Sequence, residues 1–252
     1  MSVVTTEILE DGRLVLLKLN RPKANILDGE MIAELKDEIL SQTIDKTRAL
    51  VISHCGPNFS FGASVKEHLP AQVKEMFMKF HQLFYLINEL SIPTLAAVRG
   101  NCLGGGMELA VFCHFLFARP DSLFAQPEIN LGVFPPMAAL ILGIKNQSLA
   151  DDLCLSGRTI NGSELSERGL ITGLGDDPEK MALEFASQHL LGKSASSLRQ
   201  TVKAVRWRIN QAMKDQLVQL EKNYLVDLMS THDASEGLNA FLDKRTPNWQ
   251  DK

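Results

Sequence analysis

Three consecutive glycines, Gly104-Gly105-Gly106, stand between a strand-like run, Thr94–Val98, and a short apolar run beginning at Met107. They restrict this chain more than any other feature. Glycine accepts backbone angles closed to other residues, so the chain can turn sharply here and start a helix with its first N–H groups unpaired. Such N–H groups and the positive end of the helix favour an anion, and one well-placed donor to a developing oxyanion is worth about 3 kcal/mol of barrier. On its own, a turn of this kind is more often a plain strand-to-helix connection. Glu108 follows within one helical turn, among Met107, Leu109, Ala110, Val111 and Phe112, where a carboxylate is costly unless paired or used. Glu128 stands in Gln126-Pro127-Glu128-Ile129-Asn130-Leu131-Gly132 and, taken alone, reads as a loop residue. Two carboxylates near an anion-holding turn point to acid–base chemistry on water or a carbon acid.

Other chemistries find little support. The glycine run lacks the G-x-G-x-x-G spacing of dinucleotide-binding turns, and no Walker lysine follows it. No serine sits in a G-x-S-x-G elbow. His54, His68, His81 and His114 have no metal-ligand spacing and read as structural or surface residues, with His68 placed near the candidate ligand loop. Cys55, Cys102, Cys113 and Cys154 form no C-x-x-C pair, which favours reduced, buried thiols over zinc or a disulfide framework. A net charge of -4, from 26 basic and 30 acidic residues, gives no reason to expect nucleic acid or an anionic membrane as partner. With 252 residues and 45% apolar content the chain can bury one large core. Without a signal-like start or an apolar run long enough to span a bilayer, it is expected in the cytoplasm.

In chain order, Asp11-Gly12 between two β-favouring runs predicts a hairpin, and Asp28 is placed to cap a helix burying Met31, Ile32, Leu35 and Ile39. A short buried strand is expected at 49–53. Pro70 is expected to open a long helix whose apolar stripe runs from Val73 to Leu90. Phe115–Ala118 reads as a strand, and short helices are expected over 137–142, 147–155 and 163–168. Strand, turn and helix recur in an order that suggests an α/β fold of strand-strand-helix units rather than a simple Rossmann order. Gly173, Gly175 and Asp176-Asp177-Pro178 mark an expected boundary between a core, 1–177, and a helical region, 178–252. Its helices are expected over 196–210, 211–230 and 233–244. A helical tail of this kind tends to pack on the core or on a neighbouring subunit.

Several segments together carry a resemblance. They are Leu19-Asn20-Arg21-Pro22-Lys23-Ala24-Asn25, residues 59–66, 102–110 and 126–132, Leu155-Ser156-Gly157-Arg158-Thr159-Ile160 and Ala240-Phe241-Leu242-Asp243-Lys244-Arg245. By them the chain resembles the crotonase (enoyl-CoA hydratase/isomerase) superfamily over nearly its full length. The resemblance implies a spiral of strand-strand-helix repeats with a C-terminal helical trimerisation region, assembled as a homotrimer or a dimer of trimers. It implies an acyl-CoA thioester substrate, with coenzyme A as part of that substrate and no separate cofactor or metal. Glu108 and Glu128 fall on the two glutamates that hydratases place around a water. Ala63 and Gly105 would supply the oxyanion N–H groups, with Gly104 beside them. Lys23, Ala24, Asn25, Ala63, Ser64, Val65 and Lys66 would hold the nucleotide and pantetheine, with Phe241 and Lys244 contributed by an adjacent chain.

Two departures from ordinary enoyl-CoA hydratases, Ser64 in place of the usual Asp and Pro135-Pro136-Met137-Ala138-Ala139 in place of a Gly-rich stretch, resemble the subgroup that hydrates cyclic dienoyl-CoA thioesters of anaerobic aromatic breakdown. The second would reshape the acyl pocket next to Phe134. A short-chain enoyl-CoA hydratase, a double-bond isomerase and a non-catalytic binding protein are the alternatives.

Overall fold

The computed structural model describes residues 2–43 and 45–252. The expected hairpin is present: β1, Val4–Leu9, pairs antiparallel with β2, Leu14–Leu19. Its link is longer than a two-residue turn, because Glu10, Asp11 and Gly12 all take positive φ, at 53°, 55° and 82°. Asp28 caps α1, Gly29–Gln42, by accepting the Met31 N–H at 3.0 Å, and Met31, Ile32, Leu35 and Ile39 form its buried stripe. β3 is Ala49–His54, and α2 is Val73–Leu90. Pro70 therefore precedes the helix rather than opening it. Leu69, the residue before the proline, is held extended at ψ 150°, and the chain makes a further turn before α2 begins.

After β4, Thr94–Val98, the chain forms β5, Asn101–Leu103, and enters α3, Gly105–Phe112, through Gly104. β6, Phe115–Ala118, and β7, Leu123–Ala125, lead to α4, Pro136–Lys145, and α5, Gln147–Ser156. β8, Thr159–Asn161, α6, Gly162–Glu167, β9, Gly173–Leu174, and α7, Pro178–His189, complete this part. The main sheet runs β1-β2-β3-β4-β6-β9, parallel from β2 onward, and a smaller sheet runs β5-β7-β8.

Apolar residues on both faces explain why the main sheet is covered on both. Leu14, Leu16, Val51, Leu95 and Phe117 face Ala182 and Ala186 of α7. The alternate residues Val15, Leu17, Leu50, Ile52 and Val98 face the larger core, which holds Phe84 of α2 and Phe112 of α3. Cys102 and Cys113 are buried in it, whereas Cys55 and Cys154 are only half-buried; all four are free thiols. No helix among the described residues is long and apolar enough to cross a membrane.

The C-terminal helices are α8, Ala195–Val205, α9, Trp207–Lys222, and α10, His232–Leu242, with a π-helical turn, Asn223–Leu228, after α9. The expected break near Asn210 falls instead at Arg206. That side chain is buried, its Nη2 donates to the Phe112 carbonyl, and its guanidinium lies 4.7 Å from the Phe112 ring centroid. Lys145 Nζ donates to the Val111 and Cys113 carbonyls at 2.5 and 3.2 Å, so two cations close the negative end of α3. Replacing Arg206 with Met should lower unfolding free energy by about 2–3 kcal/mol, read from the urea midpoint, because the Phe112 carbonyl loses a charged donor.

Candidate active site

Three connections meet at the start of α3. The first is the segment after β3, tied down by bridges from Leu27 to Ala63 and from Ser60 to Cys102. Ser60 Oγ donates to the Asn25 carbonyl at 2.8 Å and accepts the Gly62 N–H at 3.0 Å. The second is Gly104, with φ 49° and ψ −126°, backbone angles that a side chain strongly disfavours. A Cβ there would stand 2.5 Å from Glu128 Oε1, so glycine is what lets the second glutamate close on this turn. The third connection is the 3-10 turn Pro127–Leu131, which carries Glu128.

Ala63 and Gly105 are neighbours across this junction, since a Cβ on Gly105 would lie 3.1 Å from Ala63 N. Neither N–H finds an acceptor among the described residues. Two free N–H groups, one of them at the positive end of α3, can hold an oxygen as it gains negative charge.

The two carboxyl groups have different surroundings. Glu108 is 5% exposed, and its Oε1 accepts the Ala138 N–H, in the first turn of α4, at 2.8 Å. Burial raises its pKa, while the Ala138 and Met137 N–H groups and His81 pull it back towards the charged form. Glu128 is half-buried as a residue, but its Oε2 is sealed from solvent and has no hydrogen-bond partner. Burial first, and then the Glu108 charge, push its pKa up to about 8. Glu128 is therefore the member of the pair that holds a proton more readily, while the pair titrates as a unit.

A cavity of about 750 Å³ opens onto Glu128 and Gly104. Ala24, Ala63, Ser64, Val65, Lys66 and Phe241 also line it. Among the described residues, no group of three His, Cys, Asp or Glu side chains is placed to hold a metal ion.

The profile of the enoyl-CoA hydratase/isomerase family matches residues 10–252. The chain belongs to that family. It is 46% identical to the cyclohexa-1,5-dienecarbonyl-CoA hydratase of Thauera aromatica over 245 residues, which cover 96% of this chain and 95% of that protein. It is 31% identical to the 2,3-dehydroadipyl-CoA hydratase of Escherichia coli, over 94% of this chain and 95% of that one. The crystal structure of an enoyl-CoA hydratase/isomerase from Pseudoalteromonas atlantica T6c superposes with a TM-score of 0.84, covering 98% of this chain and all of that one at 24% identity. The fold is thus the crotonase fold of this family.

Several residues singled out in the sequence lie off the cavity wall of this family member. Asn25 is fully buried: its side chain accepts the Arg21 N–H and donates to the Cys55 and Asn58 carbonyls, so it staples the loop. Lys23 has φ 91° and its carbonyl accepts from Asn58. Phe134 turns its ring towards Tyr224, at 5.3 Å between centroids. Lys244 lies two residues past the end of α10 with φ 56°, and its neighbour Arg245 lines the cavity instead, held by Glu236 at 2.6 and 2.8 Å. Phe241 reaches the cavity of its own chain. His68 also lines it, half-buried and shifted by desolvation towards the neutral form, with Nδ1 2.8 Å from the Ser64 carbonyl. Ile26, next to one of the matching segments, and Phe61 and Asn130, inside two others, are wall residues that were not singled out in the sequence.

Proposed function

We propose that this chain is an acyl-CoA hydratase that adds water to cyclohexa-1,5-diene-1-carbonyl-CoA, giving 6-hydroxycyclohex-1-ene-1-carbonyl-CoA. The observation that carries the chemistry is the pairing of buried Glu108 with Glu128, whose Oε2 is sealed from solvent, beside the free N–H groups of Ala63 and Gly105. The ring substrate rests on the similarity to the Thauera aromatica hydratase.

Glu108, whose carboxylate accepts an N–H from the first turn of α4, takes a proton from water as the water oxygen bonds to the carbon β to the thioester. The electron pair of that double bond moves through the α carbon to the thioester oxygen, where the Ala63 and Gly105 N–H groups receive the charge. The dienolate then takes the Glu128 proton at the far end of the conjugated system, leaving one double bond between the α carbon and the other β carbon. The proton gained by Glu108 restores the pair. Nothing is oxidised or reduced, so coenzyme A as part of the substrate is the only group the reaction needs.

The same reading makes the C-terminal helices the contact of a homotrimer. Val205, Trp207 and Val226 are 69%, 65% and 57% exposed, which is unusual for large apolar groups on one region. Light scattering of the purified protein should give at least three times the mass of one 27.9 kDa chain.

The deciding experiment compares hydration of cyclohexa-1,5-diene-1-carbonyl-CoA with that of crotonyl-CoA by the purified protein, with products followed by chromatography. Faster turnover of the cyclic diene is expected. The reverse preference would move the protein to straight-chain enoyl-CoA hydration, and no turnover of either would sink the hydratase reading.

A further inference from the structure

Tyr224 sits on the π-helical turn Asn223–Leu228 and has no exposed surface. Its ring is wedged between Phe77 of α2, at 4.5 Å between centroids, and Phe134, at 5.3 Å, edge-on to both. Phe134 directly follows Val133 of the cavity wall, and Phe77 meets His68 of that wall at 6.3 Å, so the tyrosine stands one layer behind the cavity wall. Its hydroxyl has no hydrogen-bond partner among the described residues. A buried phenol almost always finds one, and an unpaired group at such a place calls for a functional explanation. A second orphan, Glu128 Oε2, belongs to the glutamate pair itself. One-turn π insertions into helices are frequent at functional sites, and this one carries the tyrosine.

We propose that Tyr224 is a third anchor of the reacting water: its hydroxyl donates a hydrogen bond to the water held between Glu108 and Glu128. This rests on the hydratase reading above. A water that donates one hydrogen to Glu108, donates the other to Glu128 and accepts from Tyr224 has a single lone pair left, and that lone pair is then fixed in direction towards the β carbon. Burial first, and then the charges of Glu128 and Glu108, raise the pKa of the Tyr224 hydroxyl, so it remains a donor. The other titratable groups near the pair are His81 from α2 and Cys154 from α5; the Cys154 thiol is pushed up to about 12 and stays neutral.

Tyr224→Phe removes the hydroxyl alone. We expect kcat for hydration to fall about 10- to 100-fold with KM within about twofold, because orientation of water rather than thioester binding is lost. The urea midpoint should hold or rise, since no intramolecular bond is broken. Unchanged kcat would overturn the proposal, as would a lower midpoint with kcat intact, which is the pattern of a purely structural tyrosine. Phe77→Leu loosens the same ring while keeping the hydroxyl, and should lower kcat far less; an equal fall would assign the effect to packing and overturn the proposal. Glu108→Gln and Glu128→Gln separate the two levels of inference. If both inactivate while Tyr224→Phe is unaltered, only the tyrosine assignment falls. If both remain active, the hydratase reading falls with it.

Discussion

Glu128→Gln should lower turnover by about 100- to 10,000-fold while leaving thioester binding nearly unchanged, as measured by steady-state hydration and by calorimetric titration with the product thioester. The amide keeps the shape of the side chain but cannot deliver the proton to carbon. The same substitution has an opposite effect on stability, with a defined pH window. Glu128 has its pKa raised from 4.5 to about 8 in the folded chain, so the fold holds a proton that the unfolded chain releases. Its contribution carries no penalty below pH 4.5, turns increasingly unfavourable as pH rises from there to about 8, and is constant above. The slope in that window is at most about 1.4 kcal/mol per pH unit for one group. Urea midpoints should therefore show Glu128→Gln gaining on the parent at pH 8.5 and not at pH 4. A parallel fall of both proteins with pH would contradict the protonated state assigned to Glu128.

Gly104→Ala should damage both stability and turnover. At φ 49° and ψ −126° the alanine is strained, at a cost of about 1–3 kcal/mol. Its Cβ would also press on Glu128 Oε1 from 2.5 Å, moving the acid from the carbon it must reach. A displacement near 1 Å at a reacting group costs about 100-fold in rate. Gly169→Ala is the matched control, because Gly169 also has positive φ, 82°, with nothing within 4 Å of its added Cβ. It should lower the urea midpoint and leave kcat alone. Equal kinetic effects at both glycines would mean that strain, not the contact with Glu128, governs the rate.

Where a local pattern decides the backbone, the sequence could be read directly. Asp28 caps its helix as a side-chain acceptor must, and the stripe over α2 is buried as its spacing demands. The glycine run was legible because only glycine lets backbone approach Ser60, Ala63 and Glu128 together. The strands Asn101–Leu103, Leu123–Ala125 and Thr159–Asn161 were not, since three residues are too few to display alternation. Arg206 breaks the C-terminal helices through a contact with Phe112, a partner 94 residues away, which local propensity cannot register. The difference between the two glutamates was equally hidden. It arises from a main-chain N–H at Ala138, and every residue except proline carries one, so its direction could be found only in three dimensions.

That amide has a consequence for how the activity could diversify. The double-proline segment, expected from the sequence to reshape the acyl pocket, lies outside the wall of the cavity and is the start of α4, whose N–H at Ala138 holds Glu108. Insertions or exchanges there that admit a larger or a linear acyl group would shift the same hydrogen bond, and with it the readiness of Glu108 to accept a proton. Fit and reactivity are therefore not separately adjustable in this scaffold. A lineage changing its substrate through this segment would pass through forms with slower chemistry, unless the Ala138 backbone kept its place while only the side chains around it were exchanged.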